Sequence, residues 1–216
     1  MGKILSVVAG KIFKLRSNVV LNLIILTIML LLSGCASVDK NVNFLYQPTA
    51  FGSGGSGDLY LSAGDQSASG KATSAQWVIG ETKNSNGENT GNIISVRSPM
   101  DIVMDAFTRE FKGAGYNVLP VNALPAGVAK GIRLNSVAIE LEEVNKLYKI
   151  ETKCTVKIAL EPWRNGTAIK TLNYENSYSD STLIDRDLFL LKSLQTTLQE
   201  LMARVVREVT VMIEQK

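Results

Sequence analysis

Between Lys149 and Glu161 the chain alternates with a period of two. Ile150, Thr152, Cys154, Val156, Ile158 and Leu160 fall on one side. Lys149, Glu151, Lys153, Thr155, Lys157 and Glu161 fall on the other, with Ala159. That pattern is a strand with one buried and one solvated face. Arg164-Asn165-Gly166-Thr167 follows, and Asn-Gly accepts the positive φ angles of a two-residue hairpin turn. Ala168–Tyr178 is then the returning strand. A long ribbon with one apolar face must be covered by another layer. The cover is written into the last segment, a helix from about Asp185 to Glu214. There Leu188, Leu191, Leu194, Leu198, Leu201, Val205, Val209 and Met212 step by three or four residues. The stripe suits a helix laid across a sheet or a coiled-coil seam. The drift from a strict heptad at Val205 and Val209 favours the sheet.

The preceding segments supply more strands and a second helix. Ser98-Pro99-Met100-Asp101 combines a capping hydroxyl, a proline at the first helical position and an acid in the first turn. Ile102, Val103, Ala106, Phe107 and Phe111 then share a face, and Gly113 or Gly115 can end the helix. Asp58–Ser62, Trp77–Ile79, Ile93–Val96 and Tyr116–Leu119 are short strands. The polar stretch from Asn84 to Asn92 turns between the second and third. Ile132–Leu141 is also strand-like, but its apolar phase slips from Ile132 and Leu134 to Val137, Ile139 and Leu141. A bulge near Asn135-Ser136 accounts for the slip. The sum is an α+β fold: an antiparallel or mixed sheet with two helices packed on one face. The element order hints at two similar halves.

The first 34 residues are of another kind. Lys3, Lys11, Lys14 and Arg16 precede an apolar run, Val19–Leu32, with no acidic residue among positions 1–34. Basic, apolar and small-residue segments in that order are an export signal. The run closes on Leu32-Ser33-Gly34-Cys35, which resembles the lipobox of bacterial lipoprotein signals. The resemblance implies cleavage between Gly34 and Cys35 and acylation of Cys35. Two other readings stay open. An uncleaved anchor would want about 20 apolar residues and finds 14, with Asn22 and Thr27 among them. Met1-Gly2-Lys3-Ile4-Leu5-Ser6 fits a myristoylation pattern but ignores the export signal. Ala36 and Ser37, with no aspartate after Cys35, imply by the same resemblance an outer-membrane, periplasm-facing destination.

Three regions follow: residues 1–34 as the signal, 35–58 as a flexible tether, and 59–216 as an α+β periplasmic domain. Loss of the signal also changes the charge. The chain has 23 Lys+Arg and 20 Asp+Glu, and four of the basic residues lie in positions 1–34, leaving 19 − 20 = −1. The basic pI describes the discarded segment, so no nucleic-acid partner is expected. The acyl chains are the expected membrane contact. Cys154 is the only other cysteine, so no intramolecular disulfide can form once Cys35 is acylated.

Chemistry is narrowed mainly by elimination. The chain has no histidine, which removes imidazole as base, nucleophile partner or metal ligand. One thiol cannot build a cysteine metal site, and Cys154 lies on the inward face of its strand. Gly64 and Gly70-Lys71 miss phosphate-loop spacing, with Ala72 where a hydroxyl is needed. The sequon Asn165-Gly166-Thr167 is explained by the hairpin. Carboxylates gather at Glu140, Glu142 and Glu143, and again at Asp180, Asp185 and Asp187. A solvated strand edge and a helix N-terminus are the plainer readings of these clusters. No catalytic residue, metal ligand or cofactor is assigned.

The lipobox, Leu147-Tyr148-Lys149-Ile150-Glu151-Thr152-Lys153, the Asn165-Gly166 hairpin, the helix at Asp101–Lys112 with Gly113-Ala114-Gly115-Tyr116-Asn117-Val118, and the terminal helix together resemble the YajG-type lipoproteins of Gram-negative bacteria. Where that family carries Asp-Gln-Arg, this chain has Asp65-Gln66-Ser67, so no role passes to position 67. The resemblance implies an outer-membrane lipoprotein without known catalysis, and a fold shared with auxiliary lipoproteins of envelope transport systems. The first expectation is a non-catalytic, lipid-anchored binding or assembly module with an envelope protein as partner. A carrier of an apolar ligand and a carboxylate-based periplasmic hydrolase are the alternatives.

Overall fold

The computed structural model describes residues 38–49, 54–64, 72–73, 76–183 and 186–215, with the side chains of 72–73 and 186–187 outside that description. The strands are β1 (Lys40–Val42), β2 (Asp58–Ala63), β3 (Ala72–Thr73), β4 (Gln76–Lys83), β5 (Asn89–Ser95), β6 (Asn117–Val121), β7 (Lys130–Asn145), β8 (Ile150–Arg164), β9 (Thr167–Ala168) and β10 (Leu172–Thr182). The helices are α1 (Pro99–Gly113) and α2 (Arg186–Glu214). The fold is α+β, with one mixed sheet and both helices, as the periodicities predict.

The sheet is organised around β7. One edge of β7 pairs antiparallel with β8 along its whole length, from Lys130 opposite Arg164 to Asn145 opposite Ile150. Its other edge has two partners. Gly131–Leu134 pairs in parallel with β2, and Leu141–Val144 pairs in parallel with β4. The register of β7 on β8 shifts between Leu134 and Ser136, at the predicted bulge. A bulge bends and twists its strand, and here it separates the two branches. Beyond β2 lies β6, and beyond β4 lie β5 and then β1. The return strand β10 pairs with the outer edge of β8.

Local chemistry explains the elements. Ser98 caps α1 through a reciprocal box: the Asp101 backbone N–H donates to Ser98 Oγ at 3.0 Å, and the Ser98 N–H donates to Asp101 Oδ2 at 3.3 Å. The hairpin after β8 turns at Asn165 (φ 50°) and Gly166 (φ 77°), as a type I′ turn requires. Gly80 is demanded by crowding instead. A Cβ there would lie 2.1 Å from the Leu141 carbonyl oxygen, so only glycine lets β4 approach β7 at the fork.

The core is a single cluster between the sheet and the helices. Leu59, Ile79, Ile93, Phe107, Phe111, Ile132, Leu134, Val156, Leu160, Leu194 and Leu198 are buried in it. Each such side chain contributes about 1.5–3 kcal/mol by leaving water. Cys154 sits there as an inert apolar group. Burial pushes its thiol up to about 12, so little thiolate forms.

Two expectations need correction. The segment 35–58 is not wholly a tether. From Val38 the chain already belongs to the compact unit, and β1 pairs in parallel with β5. Val42, Phe44 and Tyr46 are buried because this short run also alternates with period two. The apolar stripe of α2 also breaks at its first turn. Leu188 is exposed, while Phe189 and Leu190 are buried. Ser193 is the residue that meets β8 near its start, at Thr152. Residue 188 lies more than a turn earlier and, six residues before Leu194, about 120° around the helix from it, off the buried stripe.

Candidate functional site

The segment that joins the domain to the expected lipid attachment is fastened by two buried carboxylates. Glu143 ends the inward row of β7 and is fully buried. Its oxygens accept from Lys40 Nζ at 2.6 and 2.8 Å. Glu110 projects from α1 and is buried. It accepts from Tyr46 Oη at 2.5 Å and from the Thr49 backbone N–H at 2.8 Å. Burial, reinforced by the Glu110 carboxylate, holds the Tyr46 phenol above its usual range, so it stays a donor. Buried acids are tolerated only when paired and hydrogen-bonded, so both carboxylates tie their partners to one geometry. Further along, Gln195 Nε2 and Gln199 Nε2 donate to the Gln47 carbonyl at 2.7 and 3.0 Å. Sequence reasoning missed this clamp. The Val42/Phe44/Tyr46 alternation is its signal, masked by Leu45 between them. Gly34 and Cys35, the predicted cleavage and lipid-attachment residues, lie outside the described residues.

The face of the sheet away from the helices is polar. At the fork between the branches it holds a groove of about 460 Å³, lined among others by Val78, Gly80, Ala138, Glu140, Lys153 and Thr155. Its charges are largely cross-paired. Lys83 bridges Glu142 at 2.6 Å and Glu81 at 2.7 Å, and Lys157 lies 3.7 Å from Glu140. The lysine row read from the sequence is therefore a mixed-charge surface, and such exposed pairs add little stability. A second groove of about 690 Å³ runs beside the 122–126 loop. There Arg133 pairs with Glu161 and stacks 5.3 Å from the Trp163 ring centre.

The carboxylate clusters do not converge. Alternation puts Glu143 on the core side, with Lys40, and Glu140 and Glu142 on the opposite side. Asp180 accepts from Tyr178 Oη at 3.1 Å. Asp185 and the side chain of Asp187 lie outside the described residues. Among the described residues no three acidic or cysteine side chains come together as a metal site would need, and no helix is long and apolar enough to cross a membrane.

No family model matches the sequence, and no curated protein matches it. Solved structures do show similarity. A Xanthomonas campestris protein of the DUF330 family superposes with a TM-score of 0.47 at 10 % identity, covering 81 % of this chain and 95 % of that one. A minor lipoprotein from Acinetobacter baumannii gives 0.34 at 10 % identity, covering 71 % and 90 %. The rare lipoprotein B from Shewanella oneidensis gives 0.28 at 15 % identity, covering 62 % and 92 %.

Proposed function

We propose that this protein is a lipid-anchored, non-catalytic lipoprotein of the YajG type. In this reading it is held at the outer membrane by acyl chains on Cys35 and presents the fork groove to an envelope protein in the periplasm. The observation that carries the reading is the Leu32-Ser33-Gly34-Cys35 motif, set three residues before a segment clamped into the domain by Glu143 and Glu110. A clamp that starts so few residues after the anchor keeps the domain close to the membrane surface, which suits docking. The absence of histidine from the chain and the separation of Glu143 from Glu140 and Glu142 across the sheet favour binding over hydrolysis. The space in which an apolar ligand would sit, between sheet and helices, is filled by Leu59, Phe107, Phe111 and Leu198.

A Cys35→Ala variant tests the anchor. The expected result is an unprocessed, larger product lost from the outer-membrane fraction. A product of mature size that stays in that fraction overturns the reading. A photocrosslinker in place of Glu140 tests the groove. A discrete envelope-protein adduct, absent when the same group replaces Thr167 at the far hairpin, is the expected outcome. Identical products at both positions reject the groove as the docking face.

A further inference from the structure

Four large apolar side chains lie bare at one end of the domain. Leu147 (83 % exposed) and Tyr148 (82 %) form the tip of the β7–β8 hairpin, a tight turn closed by the Lys146 N–H on the Lys149 carbonyl at 2.9 Å. Leu183 (76 %) directly follows Thr182, the partner of Ile150. Leu188 (63 %) is in the first turn of α2, which starts at this same end. Single exposed leucines are ordinary, but several gathered on one end mark a contact surface.

The place where the chain joins the domain is at that end too. The Val38 N–H donates to the Thr90 carbonyl, and Thr90 Oγ1 bonds the Thr82 carbonyl. Thr82 pairs with Glu143 on β7. Val38 is therefore level with about Glu143 or Val144. Leu147 lies three residues beyond Val144, so the hairpin tip projects about 10 Å past that level at the rise of a strand. Cys35 is also three residues beyond Val38, and three residues of backbone reach about 10 Å at most. An acylated Cys35 can therefore be no farther out along the strand direction than the tip itself.

We infer that the Leu147–Tyr148 tip, with Leu183 and Leu188 beside it, dips into the interface of the bilayer that holds the acyl chains. This rests on the anchoring of Cys35 proposed above. The side chains fit. Tyrosine prefers the headgroup level, the leucines favour the acyl boundary, and Lys146 and Lys149 can keep their charged ends in the wet layer. The neighbouring turn, Asn84–Glu88, is polar and suits the headgroup region.

The test uses the mature, acylated protein with an NBD fluorophore on a Tyr148→Cys variant, and on Thr167→Cys as reference. Cys154 is buried and Cys35 is acylated, so labelling is selective. The protein is reconstituted into phosphatidylethanolamine–phosphatidylglycerol vesicles, with and without brominated acyl chains. The expected result is a blue shift and bromolipid quenching at position 148, with neither at 167. Protein that floats with the vesicles while the 148 label stays water-like overturns this inference and leaves the anchor intact. Protein that fails to float overturns the anchor reading and this inference with it. A label that is water-like in vesicles but shielded in native envelope membranes assigns the tip to a protein partner and rejects the bilayer.

Discussion

At one end of the β7–β8 ribbon, Lys130 reaches Glu214 at 2.6 Å, and Arg164 donates to the carbonyls of Met212 and Gln215 at 3.2 and 2.6 Å. The Asn165-Gly166 turn there is held by backbone bonds to Val128 and Ala129. At the other end the turn carries two bare apolar side chains, and the deeply set contacts lie inside it: the clamp on the joining segment and the buried Thr152–Ser193 hydroxyl pair at 2.7 Å. The same pair of strands is thus capped at one end and left open at the other. The contrast teaches that hairpin length in this fold is not governed by the core alone. The capped end is spent on closing the sheet against α2. The open end extends to a turn whose two central side chains, Leu147 and Tyr148, are almost wholly exposed.

The sharpest way to break this comparison is at the buried ion pair of the open end. Lys40→Met leaves the Glu143 carboxylate buried without its cation. Removal of one partner from a buried pair is strongly destabilising, and Lys40 is partly exposed, so a loss of about 2–4 kcal/mol is expected in urea unfolding. A loss below about 0.5 kcal/mol, the range of ordinary surface changes, would show that the clamp is replaceable.

The two turns come next. Gly166→Ala puts a Cβ at positive φ and 2.9 Å from Gly127 Cα, a strain worth about 1–3 kcal/mol. Leu147→Ser at the opposite turn should change stability by no more than about 0.5 kcal/mol. Equal effects at both turns would erase the distinction between the ends.

The smallest effect is electrostatic. At the capped end the Lys130 ammonium beside Glu214 holds its carboxyl below the usual glutamate range. A carboxyl depressed in the folded state stabilises above its unfolded pKa, near 4.3, and that contribution is lost as pH falls through the folded value. Lys130→Met should therefore flatten the fall of Tm between about pH 5 and pH 3. At the open end Lys146 and Lys149 likewise hold Glu151 low, but on an exposed surface where solvent screens the pairs. Lys146→Met should flatten the same curve less. Equal flattening from both variants would mean that the capped pair is no better shielded than the open one.

Much of the architecture was legible in the residues. The period of two in β8, the cap at Ser98, the Asn165-Gly166 turn and the slip near Asn135 each have a local physical cause, and each stands where it was read. What was not legible depends on partners distant in sequence. β1 is three residues long and forms only because β5 offers an edge and because Glu143, 103 positions away, neutralises Lys40. Leu188 differs for a local reason: two successive three-residue steps carry it about 120° around α2 from Leu194 and off the buried stripe. The candidate site was legible as a motif at Cys35 and as a polar sheet face. The groove arises because two strands share one edge of β7, a matter of pairing and not of composition.

That shared edge leaves the fold exposed to one kind of genetic accident. Ile132 and Leu134 lie before the irregularity and Val137, Ile139 and Leu141 after it, and all five face inward only because one extra residue stands between them. Loss of the single codon for Asn135 would only remove the irregularity and leave all five in simple alternation, whereas loss of the codon for Ala138 would set Val137 on one face and Ile139 with Leu141 on the other while every amino acid in both sets stayed the same.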